Sequence, residues 1–83
     1  MDKTPIKIIC FAGLRKYFGS EVTVLVEKGD SYSKVIDELK AINPEAIEVL
    51  SSCRIAVNED FISLDELLKP ENIIFLIPPS SGG

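Results

Sequence analysis

The sequence predicts an α+β fold, a mixed sheet curled over one main helix, and three observations lead there. Two runs near the start, Pro5–Ala12 and Glu21–Glu27, alternate in polarity as half-buried strands do. Tyr32, Val35, Ile36, Leu39 and Ile42 then fall on one helical stripe suited to lying across a sheet. A last apolar run, Ile73–Ile77, brings the chain back as a strand. Hairpin, helix and returning strand make a single α+β unit.

In the first strand Ile6, Ile8, Cys10 and Ala12 share one face, and Lys7, Ile9 and Phe11 share the other. The second set is only half polar, so Ile9 and Phe11 either meet further core or form an apolar patch for a partner. Gly13–Ser20 is the connection, with Leu14–Phe18 as a helical turn and Gly19 as the turn residue. Val22, Val24 and Val26 point inward from the second strand, Thr23 and Leu25 outward. Lys28-Gly29-Asp30 breaks this strand. Ser31 is placed to cap the main helix with its hydroxyl. The helix stops at Asn43-Pro44, because a residue before proline avoids helical geometry. Lys34, Asp37, Glu38 and Lys40 form its solvated face.

Glu45–Leu50 reads as a short second helix and Cys53–Asn58 as a third strand. Asn58-Glu59-Asp60 turns into a short segment at Phe61-Ile62. Ser63 caps one turn through Asp65, Glu66 and Leu67, with Leu64, Leu67 and Leu68 as apolar contacts. The adjacent carboxylates Asp65 and Glu66 are acid/base candidates by type, but acids at a helix start complement its dipole, which is their structural reading. Five consecutive apolar residues make Ile73–Ile77 a strand buried on both faces. As the most apolar strand it belongs at the centre, beside the first strand and parallel to it, with the main helix as the crossover.

Composition excludes several function classes. At 83 residues the chain holds one small core. No apolar run approaches the roughly 20 residues that cross a bilayer, and Met1-Asp2-Lys3 begins no signal peptide, so a cytoplasmic protein without membrane contact is expected. A net charge of −4 without a basic cluster argues against nucleic acid and favours a protein partner with basic patches. There is no histidine, so Ser/His and Cys/His nucleophilic arrangements are impossible and no metal site is expected. Cys10 and Cys53 stand in strand-like apolar settings and read as core, with a disulfide or reactive thiol as the alternative.

The end of the chain carries the functional signal. Pro78 and Pro79 lack the N–H that a sheet ladder needs, so pairing stops and the chain leaves extended. Ser80, Ser81, Gly82 and Gly83 bring no apolar surface to offset their ordering entropy. Residues 1–79 are therefore expected as the folded domain and residues 80–83 as a flexible Gly-Gly tail, with a merely frayed terminus as the bland reading. Without Cβ atoms, Gly82 and Gly83 let a terminal carboxylate pass through a narrow channel.

Cys10-Phe11-Ala12-Gly13-Leu14-Arg15, Ala56-Val57-Asn58, Ser63-Leu64-Asp65 and Ile77-Pro78-Pro79-Ser80-Ser81-Gly82-Gly83 together resemble the β-grasp, ubiquitin-like proteins of the molybdopterin synthase small-subunit type. The Pro-Pro-x-x-Gly-Gly ending is the specific element. Two departures are Lys69-Pro70-Glu71-Asn72, in place of a Gly-Asp turn, and Ser80, in place of an apolar residue.

The resemblance implies a sulfur carrier. An ATP-dependent activating enzyme adenylates Gly83, a sulfur donor protein converts it to a thiocarboxylate, and sulfur passes to cyclic pyranopterin monophosphate in the large synthase subunit. The chain itself would bind no cofactor and supply no catalytic side chain. Gly83 is the reactive site, Gly82, Ser81 and Ser80 the tail, and Pro79 and Pro78 its aim. Phe11, Arg15, Phe61 and Ile77 would help dock the large subunit in a heterotetramer, although core packing remains open for the three apolar ones. Carriers for thiamine, cysteine or tungsten-cofactor synthesis and a ubiquitin-like modifier are the alternatives.

Overall fold

The computed structural model describes residues 3–69 and 73–79. The strands are β1 (Lys3–Cys10), β2 (Glu21–Glu27), β3 (Arg54–Val57), β4 (Asp60–Ile62) and β5 (Ile73–Ile77). The helices are α1 (Arg15–Phe18), α2 (Tyr32–Ile42) and α3 (Ile47–Leu50), with 3-10 turns at Ala12–Leu14 and Pro44–Ala46. The sheet order is β2-β1-β5-β3-β4. β5 is central and parallel to β1, as expected, while the β1–β2, β3–β4 and β3–β5 pairs are antiparallel.

One face of the sheet carries α2. Tyr32, Val35, Ile36 and Leu39 are buried with Ile6, Ile8, Cys10, Val24, Val26, Ile55, Ile74 and Leu76 in a continuous apolar cluster. The helical stripe ends one turn early, since Ile42 is 52% exposed. β1 also ends earlier than expected. Ala12 takes φ +52, outside strand geometry, and starts the turn that drops Leu14 into the core. Ala12 is thus exposed instead of facing inward.

β5 departs from the expected two-sided burial. Ile74 and Leu76 are buried under α2, but Ile73 is 48% exposed and Phe75 and Ile77 are only half-buried on the opposite face. An apolar face turned outward cannot be told from a buried one by composition alone, because hydrophobicity reports transfer preference and not what covers the strand.

The start of α2 also differs. The Ser31 hydroxyl caps no helix amide and instead pairs with the Ser33 hydroxyl at 2.6 Å. Carbonyls from the segment before β5 do the capping: Glu66 accepts the Tyr32 amide and Leu64 the Ser33 amide, each at 3.0 Å. That segment forms no helix. Ser63 Oγ accepts the Asp65 amide at 3.3 Å and the Glu66 carboxylate accepts the Ser63 amide at 3.2 Å, so both acidic residues belong to a turn. Leu64 and Leu68 pack on the core, whereas Leu67 is 64% exposed and contributes no such contact. At the other end of α2, Asn43 accepts the Glu45 amide at 3.1 Å and donates to the Tyr17 carbonyl at 3.2 Å, tying α1 to the α2–α3 corner.

Candidate functional site

β5 ends at Ile77, whose partner across the ladder is Arg54, and Pro78 and Pro79 follow outside any strand. Proline cannot donate to a ladder, so the chain leaves the sheet here. Pro78 is half-buried and Pro79 exposed. Ser80, Ser81, Gly82 and Gly83 lie outside the described residues, as do Pro70, Glu71 and Asn72. Two open grooves flank the exit. One, of about 520 Å³, is lined by Phe11, Ala12, Gly13, Val49, Ile77 and both prolines. The other, of about 580 Å³, is lined by Ser52, Arg54, Phe61, Ile77 and both prolines.

The outer face of the sheet joins these grooves. Register places Ile9 beside Phe75, Phe75 beside Ala56, and Ala56 beside Phe61, one row across β1, β5, β3 and β4. Side chains in such a row stand on one face of the pleat. Ala56 is only 6% exposed yet lies outside the cluster under α2, as its place between Phe75 and Phe61 requires. Phe11 extends the row: its ring centroid is 6.0 Å from that of Phe75, tilted by 31°. Phe61 is 60% exposed, with the Arg54 guanidinium carbon 5.5 Å from its ring centroid.

Of the expected docking residues, Phe11, Phe61 and Ile77 are therefore brought together around the exit, and none belongs to the core cluster. Arg15 lines neither groove. It starts α1 and turns its Nε toward the Cys10 carbonyl at 3.4 Å, a long hydrogen bond. Sequence reasoning missed Arg54, a lone cation at an alternating position of a strand, and Phe75, absorbed into a run read as wholly buried.

Both thiols are free and buried. The disulfide alternative is therefore not realised. Burial pushes the Cys10 thiol pKa upward. Burial, and secondarily the neighbouring Cys10, raises Cys53 from 9.0 to about 11. Neither is thus an activated nucleophile. Among the described residues no helix is long and apolar enough to cross a membrane.

A mixed five-stranded sheet over one principal helix, with β1 and β5 paired in parallel at its centre and the chain leaving beside an apolar outer face, defines a ubiquitin-like β-grasp protein. Within that class the chain belongs to the ThiS family, which it matches over residues 8–83. It is 32% identical over 79 residues to the molybdopterin synthase sulfur carrier subunit of Arabidopsis thaliana, covering 94% of this chain and 82% of that protein. Among solved structures it resembles small archaeal modifier protein 1 of Methanosarcina acetivorans, with TM-score 0.77, 25% identity and all of both chains covered. It also resembles a chain of the protein–protein complex of subunits 1 and 2 of molybdopterin-converting factor from Helicobacter pylori 26695, with TM-score 0.54 and 28% identity over 96% of this chain and 100% of that one.

Proposed function

We propose that this chain is the sulfur carrier subunit of a molybdopterin synthase and that the α-carboxyl group of Gly83 carries the sulfur. The observation that carries the reading is the match to the Arabidopsis sulfur carrier subunit along 94% of the chain. The chemistry follows from the terminus. A carboxylate at neutral pH is a poor electrophile, and adenylation by an ATP-dependent activating enzyme, with loss of pyrophosphate, gives it a leaving group. A persulfide sulfur from a donor protein then displaces AMP at the acyl carbon to give an acyl disulfide. A second thiol cleaves its S–S bond, releasing the thiocarboxylate and leaving a disulfide between the donor and that thiol. Two such groups in turn each deliver one sulfur to cyclic pyranopterin monophosphate inside the large subunit, forming the dithiolene of molybdopterin.

The fold serves as a handle for this terminus. Pro78 and Pro79 direct the tail away from β5, and Gly82 and Gly83 enter a channel too narrow for a Cβ. The large subunit docks on the outer face through Phe11, Phe61 and Ile77, with Arg15 at the edge. The catalytic side chains belong to that partner, and two carriers sit at opposite ends of its dimer in a cytoplasmic heterotetramer. ATP is consumed by the activating enzyme and is not a cofactor of this chain.

Intact-mass measurement tests the reading. With the cognate activating enzyme, ATP and a sulfur source, the mass changes by exchange of one oxygen for one sulfur. An unchanged mass with a demonstrably competent activating enzyme would sink it. The full-length likeness to an archaeal modifier favours a second reading, an isopeptide bond from Gly83 to a lysine. Recovery of the large subunit in a pull-down supports the carrier; recovery of lysine conjugates supports the modifier.

A further inference from the structure

We propose that Arg54 is the specificity residue of the outer face: its guanidinium receives an aspartate or glutamate side chain of the docked partner protein. The proposal rests on the reading of this face as the docking surface. Arg54 sits across the ladder from Ile77, the last residue of β5, so it stands beside the exit of the chain. Its guanidinium carbon lies 5.5 Å from the centroid of the Phe61 ring. A cation over a ring face is held by the ring's charge distribution rather than through its N–H donors, and a planar guanidinium takes a carboxylate in bidentate fashion.

No carboxylate of this chain takes that position among the described residues, where the ion pairs are Lys7–Glu21 and Lys34–Glu38. Arg15, the other arginine, is turned toward a backbone carbonyl. The groove around Arg54 has apolar walls in Phe61, Ile77, Pro78 and Pro79. A partner covering it excludes water and strengthens a charge pair there. An apolar surface spread over four strands fits a protein better than a nucleotide, which takes a concave pocket. One cation in that surface, on a chain of net charge −4, fixes register and rejects partners without the matching acid.

The test titrates the cognate large synthase subunit with the 83-residue chain at low and high salt. Arg54 is exposed, so its variants keep the fold, which thermal melts verify. R54Q is expected to bind about tenfold more weakly and R54E about a hundredfold, with R54K recovering part of the loss. A water-soluble carbodiimide is expected to link R54K covalently to one acid of the large subunit, and replacing that acid by arginine to restore binding to R54E. Equal losses for all three variants would mean packing alone and would overturn the proposal. Binding unchanged in all three while F11A weakens it leaves the docking face standing and removes Arg54 from it. If F11A and all the Arg54 variants bind as the unaltered chain does, the docking-face reading itself fails. Unchanged docking with impaired adenylation would assign Arg54 to a nucleotide phosphate and likewise overturn the proposal.

Discussion

Tyr32 donates its backbone amide to the carbonyl of Glu66 at 3.0 Å, so the N-terminus of α2 is closed by a segment distant in sequence. The same tyrosine accepts the Lys69 amide on its hydroxyl at 3.2 Å, while its ring is buried. Capping by backbone carbonyls leaves the Ser31 hydroxyl without the usual role. S31A is therefore expected to cost well under the ~1 kcal/mol of a lost side-chain cap. Y32F is expected to cost about 1 kcal/mol, because it removes the acceptor of a partly buried amide. At about 4–8 °C per kcal/mol for a domain of this size, thermal melts separate the two.

The β3–β4 turn carries backbone strain. Asn58 and Glu59 both take positive φ, at 52° and 71°, between Val57 and Asp60, which pair in the ladder. This two-residue hairpin geometry favours Asn-Gly. Asn58 suits its position, but Glu59 places a Cβ in the left-handed region, at a cost of roughly 1–2 kcal/mol. E59G is expected to raise stability by about 1 kcal/mol once the greater freedom of an unfolded glycine is deducted. Denaturant titration of the two chains checks it, and a lowered midpoint would count against the strain argument.

Elements whose determinants are local were legible in the sequence. β2 and α2 were read with their observed limits, since alternation, a helical stripe and the Asn43-Pro44 stop are neighbouring-residue signals. The central, parallel placement of β5 followed from its apolarity and the crossover argument. Features set by partners across the sheet or beyond it were not. The capping of α2 depends on Leu64 and Glu66 arriving from elsewhere in the chain. The placing of Arg54 over the Phe61 ring depends on the register that pairs Ala56 with Phe61. For the site, alternation alone raises an outward apolar patch only at Ile9 and Phe11, while Phe61 and Ile77 enter through the family resemblance, because a run such as Ile73–Ile77 does not show which of its faces is covered. The roles given to Ser80, Ser81, Gly82 and Gly83 concern residues outside those described.

Deleting Gly83 is expected to abolish formation of the thiocarboxylate and to leave the thermal midpoint within about 1 °C. The apolar cluster is built from residues between Ile6 and Leu76, and a glycine adds no side chain to it. Mass spectrometry after incubation with the activating enzyme reads the first outcome and a thermal melt the second. A large loss of stability would show that the terminus supports the fold and would contradict its role as a carried group.

The buried thiols predict a specific alkaline response. The Cys53 pKa rises from 9.0 to about 11 in the folded chain, chiefly by burial and secondarily through Cys10. Between those values the unfolded chain gives up a proton that the native one keeps. The unfolded state then binds fewer protons, so stability falls as pH rises. The contribution, roughly 2–3 kcal/mol at about 1.4 kcal/mol per tenfold change in proton affinity, is fully present below pH 9 and lost by about pH 11. The decisive comparison is with C53A, which removes this group and leaves the other side chains in place. C53A is expected to be less stable near neutral pH by the lost packing, and to show a shallower decline between pH 9 and pH 11. Parallel stability profiles for the two chains would mean that Cys53 ionises as readily in the native state as in the unfolded one and would overturn this account of the alkaline decline.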